Sequence, residues 1–214
     1  MELVNSGTLA VGGGNILTAD STLQAGVYVL EMDTSPLVND GEVINVFTAY
    51  KVRSADTDVP TIYDDQLYGI QAEARWQSIP SVLPESCAIT ITVGHNTALA
   101  TGVGWKLFRT GAATSVDSGT ASYTTGGSKT VTGAGAGVYA LLLNVSTMVN
   151  GDVIKVTSKV DSEIVREVYL QNAQYPDLYQ SDPIVASGTG CTVVISFETL
   201  SGSTAFSWNL MRVG

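Results

Sequence analysis

Few side chains in this sequence can do covalent or acid–base chemistry. It has one His, His95, and two Cys, Cys87 and Cys191. A Ser–His–Asp triad would have to use His95, but the matching region of the second half carries Glu198 and no His. A Cys–His pair would use Cys87 and His95. Eight residues at strand pitch put these roughly 26 Å apart. The densest ionic cluster is Asp56, Asp58, Asp64 and Asp65. Oxygen ligands on a loop suit Ca²⁺, although the EF-hand spacing is absent. The same four acids also read as a solvated loop. Paired carboxylates could hydrolyse a glycoside, yet nothing in the spacing marks a pair. Gly126-Gly127-Ser128-Lys129-Thr130 resembles the end of a phosphate loop, but Ser128 separates Gly from Lys. Gly133–Gly137 opens a strand and is no dinucleotide fingerprint. Asn144-Val145-Ser146 fits the glycosylation pattern. The expectation is a protein that is not an enzyme, with no catalytic residue and no cofactor. The acidic quartet is a weak metal candidate.

Charge and composition narrow the partners. The chain of 214 residues has 10 basic and 20 acidic residues, a net charge of −10. A phosphate-backbone binder needs clustered Lys and Arg, so nucleic acid is not an expected partner. With 44% apolar residues the chain can fill a core, which excludes global disorder. No run approaches the ~20 apolar residues of a membrane span, and no membrane partner is expected. The N-terminus Met1-Glu2-Leu3-Val4-Asn5-Ser6 lacks a basic region and an apolar region, so no signal peptide is expected. Two Cys in a chain this long are no disulfide framework, and read as small buried side chains.

The elements that must position these residues come twice. Ala25-Gly26-Val27-Tyr28-Val29-Leu30 recurs as Ala136-Gly137-Val138-Tyr139-Ala140-Leu141, an offset of 111. Val38–Ile44 recurs as Val149–Ile154, and Lys51-Val52 as Lys159-Val160. Trp76–Val82 matches Tyr179–Val185, Cys87 matches Cys191, and Trp105–Gly111 matches Trp208–Gly214. Same-order blocks with small indels predict two copies of one domain, 1–111 and 112–214. Gly111-Ala112-Ala113-Thr114-Ser115 reads as a short linker between them.

Within each copy the runs are β-rich. Gly26–Asp33, Glu42–Val52, Leu67–Gln77, Ala88–Val93 and Gly104–Arg109 are expected strands. Ile89-Thr90-Ile91-Thr92-Val93 alternates as a half-buried strand does. Gly7–Val11 and Asn15–Thr18 are expected to pair around Gly12-Gly13-Gly14, and Asn39-Asp40-Gly41 and Asn150-Gly151 to be turns. The fold class is therefore all-β: two tandem antiparallel β-sandwich domains, jelly-roll-like. Trp105, Trp208, Cys87, Cys191, Tyr28 and Tyr139 are the expected structural core. Trp76, replaced by Tyr179 in the repeat, is expected to be partly exposed. Arg109 and Arg212 are expected to pack along a ring or pair with a carboxylate.

The shared pattern is A-G-x-Y-x-L, a turn, a strand ending K-V, Q-S-x-P-x-V, and W-x-L-x-R-x-G. Ala25, Gly26, Tyr28, Leu30, Asp33, Ser35, Leu37 and Gly41 carry it in the first copy. Ala136, Gly137, Tyr139, Leu141, Asn144, Ser146, Gly151 and Asp152 carry it in the second, with Asn144 departing from Asp. This resembles small β-sandwich virion proteins from the head gene clusters of tailed bacteriophages. The resemblance implies a capsid decoration, or cement, protein on the outer surface of an assembled shell, made in the host cytoplasm. It implies the major capsid protein as partner, with neighbouring copies of the chain itself. The tandem repeat departs from the single-domain members. Two fused copies resemble a covalent homodimer, which would present symmetric patches across a two-fold of a shell. A glycan- or receptor-binding β-sandwich is the alternative, with Trp76, Tyr63, Tyr68, Tyr175 or Tyr179 as exposed aromatics.

Overall fold

Strands account for every regular element of the described chain. The computed structural model describes residues 1–9, 15–18, 23–37, 43–68, 74–95, 102–171 and 177–214, with residues 9, 15–18, 63–64 and 93–95 described by their backbone. The first half holds β1 (Glu2–Leu9), β2 (Asn15–Thr18), β3 (Gly26–Asp33), β4 (Val43–Tyr50), β5 (Thr61–Tyr68), β6 (Arg75–Gln77), β7 (Ser81–Leu83) and β8 (Ile89–His95). β9 (Val103–Tyr123) crosses into the second half. There follow β10 (Ser128–Ala134), β11 (Gly137–Asn144), β12 (Val153–Val160), β13 (Glu163–Gln171), β14 (Leu178–Gln180), β15 (Ile184–Ala186), β16 (Gly190–Thr199) and β17 (Thr204–Val213).

Two four-stranded antiparallel sheets have matching orders, β2-β8-β4-β5 and β10-β16-β12-β13. A nine-stranded sheet runs β14-β11-β17-β9-β3-β6, with β1 also on β9, β15 on β11 and β7 on β3. The arrangement is β-sandwich-like. Ile44, Val46, Ile89 and Ile91 of one small sheet meet Tyr28, Leu30, Met32 and Leu107 of the large sheet in a first core. Val131, Ile154, Val156, Val193 and Ile195 of the other meet Tyr139, Leu141, Phe206 and Leu210 in a second. β11 is buried on both faces, with Tyr139, Leu141 and Leu143 in the second core and Ala140 and Leu142 in the first.

β9 serves both cores and is bulged twice, at Thr110 opposite β3 and at Val116 opposite β17. Leu210 pairs with Asp117 but Met211 with Ser115, which leaves Val116 as a bulge. A bulge inverts the alternation of side chains beyond it. Ala113 lies in the first core, while Ala121 and Tyr123 pack on the second. Residues 111–115, expected as a linker, are thus the middle of a strand: Gly26 pairs with Ala112 and Val213 with Ala113. Their side chains are small because two halves of a sheet meet there.

Two further expectations are corrected. β1 and β2 form no hairpin: β1 pairs β9 in the large sheet and β2 pairs β8 in a small one. The expected strand Leu67–Gln77 is the end of β5 plus β6, because the acids of β5 do not forbid a strand that pairs β4 on one edge. The expected turns at 12–14 and 39–41 lie outside the described residues. At Asn150-Gly151 the chain turns, with Gly151 at φ 96°.

The same contacts recur at repeat-related positions. Ser78 Oγ accepts from the Leu30 N–H at 3.0 Å, and Ser181 Oγ from the Leu141 N–H at 2.9 Å. The Tyr28 hydroxyl donates to the Gln24 carbonyl, and the Tyr139 hydroxyl to the Ala134 carbonyl. Of the two expectations for the arginines, the carboxylate pair is found at Arg109, whose Nη1 is 3.9 Å from Glu2 Oε2. Arg109 and Arg212 each donate through Nη2 to a backbone carbonyl, of Ala25 at 2.6 Å and of Ala136 at 2.7 Å. Each side chain crosses a glycine of β3 or β11, Gly26 or Gly137, where a Cβ would lie 2.5 or 2.8 Å from the guanidinium.

Candidate functional site: two equivalent sheet faces

Polar side chains gather on the outer faces of the large sheet. In the second half, one row across β9, β17, β11 and β14 is Ser118, Asn209, Leu142 and Gln180. The next contains Thr120, Ser207, Asn144 and Leu178. The chain itself occupies this face with the connection 51–60 between β4 and β5. Asn209 Nδ2 donates to the Val52 carbonyl at 2.9 Å, and the Ser207 hydroxyl to Asp56 Oδ1 at 3.2 Å. Asn144 Nδ2 and Ser146 Oγ lie 3.4 and 3.0 Å from Asp58 Oδ2. Gln180 accepts from the Tyr50 hydroxyl and the Val82 N–H and donates to the Pro80 carbonyl, each at 2.9 Å.

This contact is heterologous. The residues of the first half equivalent to the receiving face are Lys106, Glu31, Gln77, Gly104, Asp33 and Arg75, on β9, β3 and β6. The contact between the halves is therefore not isologous. The second half has no loop matching 51–60. Its β12 and β13 are joined by Asp161 and Ser162, both at positive φ.

Among the described residues, no loop covers the equivalent face of the first half. Its rows are Ser6, Lys106, Glu31 and Gln77, then Thr8, Gly104, Asp33 and Arg75. All of these but Gln77 line a cleft of about 630 Å³. Arg75 Nη1 is 3.8 Å from Glu31 Oε1, and Gln77 Nε2 donates to Glu31 Oε2 at 3.2 Å. The Ser35 hydroxyl and N–H donate to Asp33 Oδ1 at 2.6 and 3.0 Å, which holds that carboxyl below its ordinary range. Ser146 makes the same two bonds to Asn144 Oδ1, at 2.7 and 3.0 Å.

Of the acidic quartet, Asp56, Asp58 and Asp65 are each held by different partners. Asp56 accepts from Arg53 Nη2 at 2.6 Å and from the Arg53 N–H at 3.1 Å. Asp58 meets the second half, and Asp65 Oδ2 accepts from Trp76 Nε1 at 2.9 Å. The side chain of Asp64 lies outside the described residues. Among the described residues no three His, Cys, Asp or Glu gather as a metal site would require. His95 ends β8, and its side chain is likewise outside the description. Cys87 and Cys191 are free and buried, and burial pushes the Cys87 thiol up to about 11. Trp208 is buried under Lys129, whose Nζ is 4.7 Å from the ring centroid, while Trp105 is half-buried against the first core. Trp76 is half-buried and Tyr68 is exposed. Asn144, the residue of the glycosylation pattern, is buried in the contact between halves. Gly126 and Gly127, read against a phosphate loop, turn the chain from β9 to β10.

Two surfaces had no sequence signal that assigned them a role. One is the receiving face, whose residues looked like ordinary strand positions. The other is β13, which exposes Ile164, Val165 and Tyr169 beside β12.

No family model and no curated protein sequence matches this chain. Weak structural neighbours include viral capsid proteins and a carbohydrate-binding tandem. The major capsid protein P2 of bacteriophage PM2 aligns over 100% of this chain and 97% of its own, at TM-score 0.31 and 12% identity. VP2 of the infectious bursal disease virus subviral particle aligns over 97% and 69%, at TM-score 0.28 and 12% identity. The CBM22-1–CBM22-2 tandem of Paenibacillus barcinonensis Xyn10C aligns over 97% and 84%, at TM-score 0.30 and 10% identity. Likeness at this level assigns neither family nor function.

Proposed function

We propose that this chain is a virion structural protein, a decoration protein that binds the outside of an assembled phage shell through protein–protein contacts and performs no catalysis. The observation that carries this is the design of its sheet faces. One outer face is built to hold polypeptide and does so within the chain, through side-chain amides and hydroxyls that grip loop carbonyls and carboxylates. Its counterpart has the same strand frame and, among the described residues, no loop on it. Low Lys content supports the same reading, since short Thr, Ser and Ala side chains lose little rotamer entropy when covered. The partner is the major capsid protein, and the location is the virion exterior.

Co-sedimentation with purified phage shells tests the proposal. Saturable binding at a fixed number of chains per shell is the expected result. A monodisperse protein that stays in the supernatant at every shell concentration would refute it. A glycan-binding reading draws on one observation, the open polar cleft at Glu31, Asp33, Arg75 and Lys106. Binding on a glycan array that is lost in Trp76→Ala would favour it.

A further inference from the structure

The second half shows what its outer face accepts, and the first half repeats that face with its charges changed. Leu142, Asn144, Leu178 and Asn209 in one correspond to Glu31, Asp33, Arg75 and Lys106 in the other. The position that receives the Asp58 carboxylate is an amide, Asn144, oriented by Ser146. In the first half the same turn, oriented by Ser35 in the same way, presents the exposed carboxylate of Asp33. A second acid placed there would be repelled, and a cation would be held. The four charges of the face cancel on a chain whose net charge is −10, so this is a region where a partner with both signs can dock without meeting a one-sign field.

We propose that the open face of the first half, formed by Ser6, Thr8, Glu31, Asp33, Arg75 and Lys106, docks a loop of a partner protein that presents an Arg or Lys side chain to Asp33, as the second half holds the loop 51–60. The inference rests on the shell-binding reading for the source of the partner and names the surface that meets it. A second copy of this chain is the poorer occupant. Its own loop 51–60 is already bonded to its second half, and the matching connection of that second half is the two-residue turn Asp161–Ser162.

Two measurements separate the surface from the reading. The probe for the surface is a cyclised peptide of residues 50–60 carrying Arg in place of Asp58, titrated into the ¹⁵N-labelled full chain. Chemical-shift changes should fall on β1, β3, β6 and β9. Asp33→Asn should weaken binding roughly tenfold, or about 1.4 kcal/mol. Asn is the residue that makes this turn in the second half, so the variant keeps the fold. The unaltered acidic peptide should bind more weakly than the Arg form. No shifts on this face at millimolar peptide, or shifts indifferent to Asp33→Asn, would overturn the proposal. The second measurement is co-sedimentation with shells of the wild-type chain, Asp33→Asn and Lys106→Glu, with Lys159→Glu as the distant control. Loss in the first two variants alone supports the proposal. Equal sedimentation of all four overturns it and leaves the shell-binding reading standing. If the wild-type chain does not sediment, that reading falls, and the peptide titration alone decides the face.

Discussion

Gln180 is the side chain on which the contact between the halves depends most. Its amide holds three groups of the first half: the Tyr50 hydroxyl, the Val82 N–H and the Pro80 carbonyl. Tyr50 is 0% exposed and Val82 is 5% exposed. Gln180→Ala removes the acceptor shared by two buried donors, and an orphaned buried donor costs about 1–3 kcal/mol. Pro80 is exposed, so its carbonyl turns to water at little cost. The expected loss is about 3 kcal/mol, read from the urea midpoint of the full chain at unchanged slope. Because Leu142 and Met211 of the second half lie in the first core, the shift should appear in one transition. Tyr50→Phe removes one of the orphaned donors. The double variant should therefore be less destabilised than the sum of the singles by about 1 kcal/mol. A loss under about 0.5 kcal/mol, or strict additivity, would refute the coupling.

Further predictions follow from burial and close approach. Burial holds the Tyr50 phenol well above its ordinary range, so it stays protonated in the folded chain while the unfolded chain ionises. Its contribution is complete below pH ~10 and is lost as pH rises further; Tyr50→Phe should flatten the fall of Tm above that pH. Cys87 and Cys191 should resist a thiol reagent at pH 8 and react fully in denaturant, because burial raises both thiols; rapid native labelling would contradict their placement. Gly119→Ala should destabilise by about 1–3 kcal/mol, since the new Cβ would lie 2.5 Å from the buried Trp208 ring. Gly190→Ala should cost more, because φ is 112° and the Cβ would strike the Gly133 carbonyl; thermal melts of the two variants test the order.

Much of the fold is written in residues whose reason is local. Gly26 and Gly137 recur because Arg109 and Arg212 cross them, and Ser78 and Ser181 recur because each caps a strand N–H. Such reasons repeat with the fold, so the sequence shows them twice. What was not legible depended on distant partners. Asp56 and Asp58 looked like a metal cluster or a solvated loop, because nothing near them in sequence reveals Ser207, Asn144 and Ser146 opposite. Residues 111–115 looked like a linker because small side chains mark both free chain and close strand contact. The receiving face was hidden because Asn209 and Gln180 alternate like any outward strand residues. The indels that lower the repeat offset between Val52 and Trp76 fall where the first half gains its docking loop.

The most direct test of the functional claim is a cryo-EM map of phage shells saturated with the chain. The expected map shows one body per chain on the outer surface, with β1, β3, β6 and β9 of the first half against the capsid protein and a basic side chain at Asp33. Shells without added density, or density that contacts the shell through β13 and leaves the first-half face open to solvent, would contradict it.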